Sequence, residues 1–553
     1  MADKTDDKMD LEFVLNELGE VKQYQLFVFV YLAVTIIVSA IYNCQYVFAA
    51  GPIDYRCRVP MCESTPEKFE TTGWGKFALP APGPLGADCF RYRVIGKTCE
   101  PASFANTTEA CYSWVYRNHE TIVAEFNMAC EDWRRTLVGT MHGAGVFAAM
   151  PATAFVSDIL GRKHALVGTS IAPAIFGVLR GYCNNYILYL VYEFLEALVG
   201  AGTYATAFIL ALEIVGLKMR VFVGNSLSIV YSFGQMLAAA CAWIWPYWRT
   251  YTLIIFYPSF LFVFYYLFVD ESMRWLLSKG KSQEAVNIII KIARMNKVQL
   301  SPKALRMLED AVKSDHVHKP GPAVEVTIAQ RLEKPPESLC SQVIHSKTIL
   351  YRVCVCSFWW ISVTMIYYGL SINSVSLAGN KYLNFVFMSI AEVPGFMLSY
   401  LTLDRFGRKS SIMVAYFMCG LALLAQMVVT NTKSIIALAL GAKTMISMIY
   451  CSIYIYTIEL FPTQARHRLM GICSMTGRIG SMLAPQTPLL MRWSKALPYI
   501  VFGIMAGVAG MLMLLTPETL NLRLPDTVQQ AENLSAEHTS KKTDIAKDAD
   551  TLP

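Results

Sequence analysis

One pattern recurs at a fixed offset, and it constrains this 553-residue chain more than any other feature. Asp158, Gly161, Arg162 and Lys163 spell D-x-x-G-R-K, and Asp404, Gly407, Arg408 and Lys409 spell it again 246 residues later. Glu213 and Arg220 recur at the same offset as Glu459 and Arg466. Matches at one offset require an internal duplication. Each D-x-x-G-R-K ends a long apolar run, so the duplicated unit is a bundle of membrane helices. Parallel repeats of that kind predict a carrier of two rocking halves with its site between them.

The apolar residues support this. The chain is 54% hydrophobic and 16% charged, against about 25% charged in a soluble domain. The runs are roughly 20 residues long, enough to cross the hydrocarbon core. Twelve are visible, six on each side of a polar stretch at 271–348. The expected architecture is therefore an all-α membrane protein with twelve transmembrane helices in two six-helix halves. Helix 1 falls at 24–50, helices 2–6 at 135–270 and helices 7–12 at 349–517. An N-terminal segment 1–23, a loop 51–134, the 271–348 stretch and a tail 518–553 lie outside the bilayer.

Charge and cysteine patterns predict orientation. The acidic start MADKTDDKMDLE is unlike the basic start of a cleavable signal, so helix 1 is expected to be retained. Basic residues crowd the short loops at 162–163, 218–220, 405–409 and 466–468. By the positive-inside rule those loops, both termini and the 271–348 stretch are cytoplasmic. Cys57, Cys62, Cys89, Cys99, Cys111 and Cys130 cluster in the 51–134 loop. An even cluster in an extracellular loop predicts three disulfides, with fifteen connectivities open. Zinc is the rival reading, weakened by the lack of paired C-x-x-C spacing. Asn106-Thr107-Thr108 is a glycosylation acceptor there, while the sequon at Asn533 falls in the tail. The 282–296 stretch reads as an amphipathic helix at the cytoplasmic surface between the halves, and the polar tail from about 525 reads as disordered.

The repeated motif has a physical logic. Glycine permits a tight turn, and the basic pair holds the turn on the inner side. The aspartate can accept from an arginine or face a helix N-terminus of the opposing half. Contacts made in one conformation and broken in the other make Asp158, Arg162, Glu213, Arg220, Asp404, Arg408, Glu459 and Arg466 candidate gating residues. Glu213 with Arg220, and Glu459 with Arg466, are the expected partners.

These motifs resemble those of the major facilitator superfamily, and within it the organic cation, anion and carnitine transporters. The resemblance rests on V-S-D-I-L-G-R-K-H at 156–164, L-D-R-F-G-R-K at 403–409 and E-S-M-R-W-L-L at 271–277. I-E-L-F-P-T-Q-A-R at 458–466, P-E-T at 517–519 and the large six-cysteine first loop add to it. One departure is Asp270 and Met273, where the family usually carries prolines. The resemblance implies a plasma-membrane, multi-pass monomer that carries small organic cations or zwitterions by alternating access, with carnitine-like and biogenic-amine-like compounds as candidates. Organic anion transport, or a non-transporting sensor on the same fold, are the alternatives.

Charges inside membrane helices are expensive and mark candidate sites. Glu392 lies mid-helix 8 and Arg478 mid-helix 11. The resemblance links the acid to cation substrates and the arginine to the anion and carnitine branches. A zwitterion could place its ammonium near Glu392 and its carboxylate near Arg478. Alternatively the two neutralise each other. Trp360, Thr364, Tyr367 and Ser371 form one stripe of helix 7, with Tyr368 beside it, and their rings suit cation–π attraction. Gln235, Tyr31, Thr35 and Asn43 are weaker candidates. Glu193, Glu196, His142 and Lys443 also lie in apolar runs, and a Glu193–Lys443 pair is conceivable. His142 reads as a packed histidine. No G-x-S-x-G, H-E-x-x-H or Walker loop is present, so neither an enzyme nor an ATP-driven pump is expected. No cofactor, metal or nucleic-acid partner is implied.

Overall fold

In the computed structural model, residues 11–317 and 343–534 are described, apart from 20, 65, 82–86, 217, 218, 344, 521 and 523. Lys218, the middle of the 271–348 stretch and the tail beyond 534 lie outside the described residues.

Twelve helices follow the apolar runs. The first six are α1 (Gln23–Ala49), α2 (Asp132–Leu160), α3 (Arg162–Gly181), α4 (Tyr186–Glu213), α5 (Arg220–Ile244) and α6 (Trp248–Phe268). The second six are α7 (Lys347–Ser374), α8 (Lys381–Phe406), α9 (Arg408–Ala425), α10 (Thr432–Leu460), α11 (Arg466–Leu483) and α12 (Leu497–Met513). Among the described residues, nine are long and apolar enough to cross a membrane on their own. The exceptions are α3, α11 and the shorter α12. Asparagine and serine caps start several helices: Asn185, Asn380, Asn431 and Ser346 each accept from first-turn N–H groups. Pro151, Pro173 and Pro394 lie inside helices, as membrane helices tolerate. Outward residues such as Leu261, Leu267, Leu421 and Met511 are exposed and apolar, as a lipid-facing surface requires.

Each half has its own core. One gathers around Leu32, Leu166, Leu210 and Phe262, the other around Trp359, Ile412, Ile449 and Phe502. A third apolar cluster spans both halves and includes Phe48, Tyr251, Phe385 and Ala484. The halves meet where α5 packs on α8 and α2 on α11.

Residues 51–131 form a cap on one face. Strand β1 (Tyr55–Cys57) pairs antiparallel with β4 (Trp114–Tyr116), and β2 (Phe90–Val94) with β3 (Phe104–Ala110). Three disulfides staple it: Cys57–Cys111, Cys62–Cys99 and Cys89–Cys130. Its small core of Val59, Trp74, Ala78 and Phe104 is insufficient alone, so the staples carry much of its stability. Arg56 lies over the Trp74 ring at 4.9 Å and pairs with Glu63 at 2.6 Å. Asn106 lies exposed on β3.

Two expectations are corrected on the opposite face. The helices Met273–Ser278, Ser282–Met295 and Pro302–Val317 belong to the first half and do not lie between the halves. Ile289, Ile292 and Leu308 bury against Leu11, Val14 and Leu15 of the helix Leu11–Glu17. Asn296 accepts from the Tyr24 N–H at 2.9 Å and donates to the Leu18 carbonyl. The tail is ordered further than its polarity implies. Residues 528–534 are helical, and Val528, Ala531 and Leu534 are buried beneath α7.

Candidate functional site between the halves

The two motif turns are built alike. Gly161 and Gly407 have φ of +98° and +95°, a backbone conformation that favours glycine. Glu271 accepts from the N–H groups of Arg162 and Lys163 at 2.8 and 3.1 Å. Glu518 accepts from those of Arg408 and Lys409 at 2.8 and 3.1 Å. A carboxylate on the first N–H groups of a helix satisfies orphan donors and complements the dipole. Both glutamates sit in motifs that sequence reasoning quoted without assigning them a role. Arg162 pairs with Asp158 at 2.8 Å and Glu213 at 3.5 Å. Arg408 pairs with Asp404 at 2.7 Å and Glu459 at 3.4 Å.

The expected glutamate–arginine partners are therefore corrected. Each glutamate takes the motif arginine. Arg220 turns to Glu12 at 2.8 Å, and Arg466 donates to the Phe461 carbonyl. These clusters close within their own halves, and the Asp158 and Asp404 side chains are 71% and 75% exposed. Among the described residues, the ion pairs between the halves lie toward the cap instead. Arg492 pairs with Asp132 at 2.8 Å and Lys381 with Glu120 at 3.5 Å. Gln486 bonds Thr136 and Thr140, and Tyr382 stacks on Trp243. This conformation is closed beneath the cap.

At mid-membrane the second half places Glu392 against Lys443 at 2.9 Å, both fully buried. Ser232 and Gln235 of α5 reach across the seam to the other carboxylate oxygen at 2.6 and 3.4 Å. Lys443 also donates to Ser371 and the Tyr367 carbonyl, and lies over the Tyr367 ring at 3.4 Å. Glu392 and Arg478 thus do not neutralise each other, and Glu193 does not meet Lys443. Lys443 is the cation that sequence reasoning left unassigned.

The first half holds a second buried cluster. Arg180 of α3 donates to both Glu193 and Glu196 of α4, the latter at 3.1 Å. His142 Nδ1 lies 3.0 Å from Glu193, and Gln45 donates to the same carboxylate at 3.0 and 3.1 Å. His142, Glu193 and Glu196 have ligand-atom spacing that could hold a metal. The Arg180 guanidinium already sits on both carboxylates and supplies the positive charge there. Arg180 was missed in the sequence, although two acids one turn apart in an apolar helix demand a cation.

Beside the first-half cluster, at the seam, lies a small void. Asn43, Tyr46 and His142 line it from the first half, and Tyr368, Arg478 and Ser481 from the second. Among the described residues no carboxylate lies within ion-pair distance of Arg478. Its neighbours are the phenols of Tyr368, Tyr450 and Tyr454. Of the other candidates, Trp360 is a packing residue here: its Nε1 donates to Thr457 at 3.2 Å and its ring meets Tyr454. Thr364 donates to carbonyls, Gly477 of α11 among them. Tyr31 and Thr35 face α6, where Tyr265 donates to the Tyr31 carbonyl.

A family model described as Major Facilitator Superfamily matches residues 133–485 and again 348–545. The chain belongs to that superfamily. Within it the chain is an organic ion transporter and not an enzyme. An "Organic cation transporter protein" of Drosophila melanogaster is 32% identical over 97% of each chain. "Solute carrier family 22 member 2" of Homo sapiens is 30% identical over 96% of each. The solved xylose transporter XylE from E. coli, in an inward open conformation, shares the fold with a TM-score of 0.57 and 13% identity. That match covers 92% of this transporter and 100% of XylE.

Proposed function

We propose that this transporter carries small organic zwitterions, with a carboxylate at Arg478 and an ammonium against the tyrosine rings of the void. The observation that carries this is the charge state of the void. Its one arginine has no carboxylate partner among the described residues, while the acid first expected to hold the ammonium, Glu392, is held by Lys443. An arginine binds carboxylates through paired charge-assisted hydrogen bonds, and Tyr46 and Tyr368 supply faces for an amine. Tyr367 and Gln235 sit behind them and fix Glu392 and Lys443. A second reading, simple organic cations, is favoured by the names of the relatives, and requires the cation to displace Lys443 from Glu392.

The motif turns act as the gate in this scheme. Asp158, Arg162, Glu213, Asp404, Arg408 and Glu459 rearrange when the open face closes, and Arg220 and Arg466 follow through their own contacts. The cap faces outward at the plasma membrane, and both termini face the cytoplasm. Glycosylation at Asn106 is the expected sign of this orientation, and a gel mobility unaltered by Asn106→Gln would reverse it.

The test of substrate is uptake of carnitine, choline, β-alanine and p-aminohippurate into proteoliposomes. In Arg478→Gln, uptake of the carboxylate-bearing compounds falls more than about tenfold, since a hydrogen bond to a charged group contributes about 1.5–3 kcal/mol. Choline uptake survives. Equal losses for every compound, normalised to reconstituted protein, rule out recognition by Arg478. Binding without movement of any label identifies a sensor.

A further inference from the structure

We propose that His142, with Glu193, Glu196 and Arg180, is a proton site, and that its proton travels with the substrate carboxylate. The proposal rests on the zwitterion reading above and adds a coupling ion to it.

Two independent observations carry it. The first is the charge count. Two carboxylates share one guanidinium in a region where all three side chains are essentially buried. One negative charge is left over, and an isolated charge in low dielectric draws a proton or a counter-cation. The second is the donor and acceptor pattern around the ring. His142 Nδ1 faces a Glu193 oxygen at 3.0 Å. Nε2 faces the Asn43 Oδ1 at 3.4 Å, and Asn43 is oriented by its Nδ2, which donates to the Ser39 carbonyl at 2.8 Å. Both ring nitrogens therefore face acceptors. A neutral imidazole offers one N–H, whereas the imidazolium offers two. Protonation closes the charge count and fills both hydrogen bonds at once.

The position of the ring supplies the coupling. Every element packed around it contributes a charged or titratable group: Tyr46 from α1, Arg180 from α3, Glu193 and Glu196 from α4, Tyr368 from α7 and Arg478 from α11. His142 and Arg478 line the same void from opposite halves. Two cations on one void repel until an anionic group sits between them. A bound carboxylate therefore tightens proton binding, and by linkage the proton tightens carboxylate binding. A second void toward the cap shares Tyr46 and Gly139 with the first. His142 also rides the seam, because Gly139 and Gly143 of α2 contact Pro485 and Met482 so closely that a Cβ would overlap them. Movement of α2 against α11 changes the surroundings of the ring. In each cycle the imidazole takes one proton from water on the cap side and releases it to water on the other.

The test uses the full chain, with probes of three charge types. Nitrogen-15 spectroscopy of histidine-labelled protein in lipid nanodiscs, with His142 assigned by His142→Gln, reads an imidazolium. Glu196→Gln cancels the surplus charge, and the same signal becomes that of a neutral ring. A neutral ring in the parent protein, or a signal unmoved by Glu196→Gln, overturns the proton site. In proteoliposomes with an internal pH dye, an acid exterior speeds carnitine and p-aminohippurate uptake about tenfold, and the lumen acidifies with them. Choline shows no acceleration. Glu196→Gln abolishes both effects, and if that variant does not fold, His142→Gln does so. Uptake of carnitine that ignores the gradient overturns the coupling and leaves the carrier reading standing. Failure of all three probes to move ends the carrier reading, and the spectroscopic result alone then decides the proton site.

Discussion

The two halves agree at their turns and disagree at their centres. At the turns, glycine, aspartate, arginine and the capping glutamate occupy matching places with nearly matching distances. At mid-membrane the same 246-residue offset, anchored on both flanks, sets Arg180 opposite Gln426, Glu193 opposite Ala439, Glu196 opposite Ala442 and Lys443 opposite Ala197. No charge in that window was kept in both copies. Rocking is a symmetric task, since each half must release and regain the same kind of contact. Holding a polar substrate is asymmetric, and there the copies diverged.

The largest expected effect breaks this comparison at the centre. Arg180→Met leaves two buried carboxylates without their guanidinium, and Lys443→Met leaves one without its ammonium. Each costs about 3–5 kcal/mol, the usual penalty for orphaning a buried charge. Adding Glu392→Gln to Lys443→Met restores most of the stability, because the pair is removed whole. Adding Glu392→Gln to Arg180→Met restores nothing. Thermal unfolding in detergent reads all four variants. Rescue of Arg180→Met by Glu392→Gln would show one shared network in place of two separate centres.

The next effect sharpens the symmetry of the turns. A Cβ on Gly161 would come within 2.3 Å of a Glu271 oxygen, and one on Gly407 within 2.5 Å of a Glu518 oxygen. The backbone there, at φ +98° and ψ 163° in one case and φ +95° and ψ 155° in the other, is almost closed to other residues. Gly161→Ala and Gly407→Ala should each lose about 1–3 kcal/mol. The two losses should match to within about 0.5 kcal/mol, as independent equivalent sites do. A loss in one turn only would mean that the copies no longer do the same work.

This difference also decides what the sequence discloses. The turns were legible as a repeat at one offset, and their Asp–Arg pairs as neighbours in the chain, while the capping Glu271 and Glu518 lie too far along it to be read. The twelve passes were legible because lipid demands long apolar runs whatever their neighbours. Partnerships across helices were not. Glu392 finds Lys443 across 51 residues because of how α8 and α10 are rotated against each other, and nothing in their spacing encodes that rotation. The same holds for Arg220, which meets Glu12 of a short N-terminal helix and not the nearby Glu213. The tail was misread for another reason. Its polar average hides Val528, Ala531 and Leu534, a three-residue stripe that suffices for one buried turn.

The smallest expected effect compares the two short segments docked on the face away from the cap. Each half holds one through a glutamate and a serine: Glu17 with Ser301, and Glu532 with Ser346. Both serines also accept from N–H groups that start a helix, Ala304 in one case and Ile349 in the other. The ties differ in what else supports them. Arg352 donates to the Ala531 carbonyl, a guanidinium-to-carbonyl bond that mild acid leaves intact. The Glu17 carboxyl is held below the usual carboxylate range, first by the Ser301 hydroxyl and then by the Ser301 N–H. A carboxyl with a lowered folded value contributes stability above its unfolded value and loses it as pH falls through the lowered one. Acid should therefore loosen the Leu11–Glu17 helix while residues 528–534 stay docked. Glu17 is partly exposed, so solvent screening keeps the effect small. Limited proteolysis of each segment between about pH 7 and pH 3 measures it against the ordinary carboxylate range. Glu17→Gln should narrow the difference in cleavage between the two ends of that range, with the Glu12 pair to Arg220 still in place. Equal release of both segments in acid would trace the loosening to the whole face and not to Glu17.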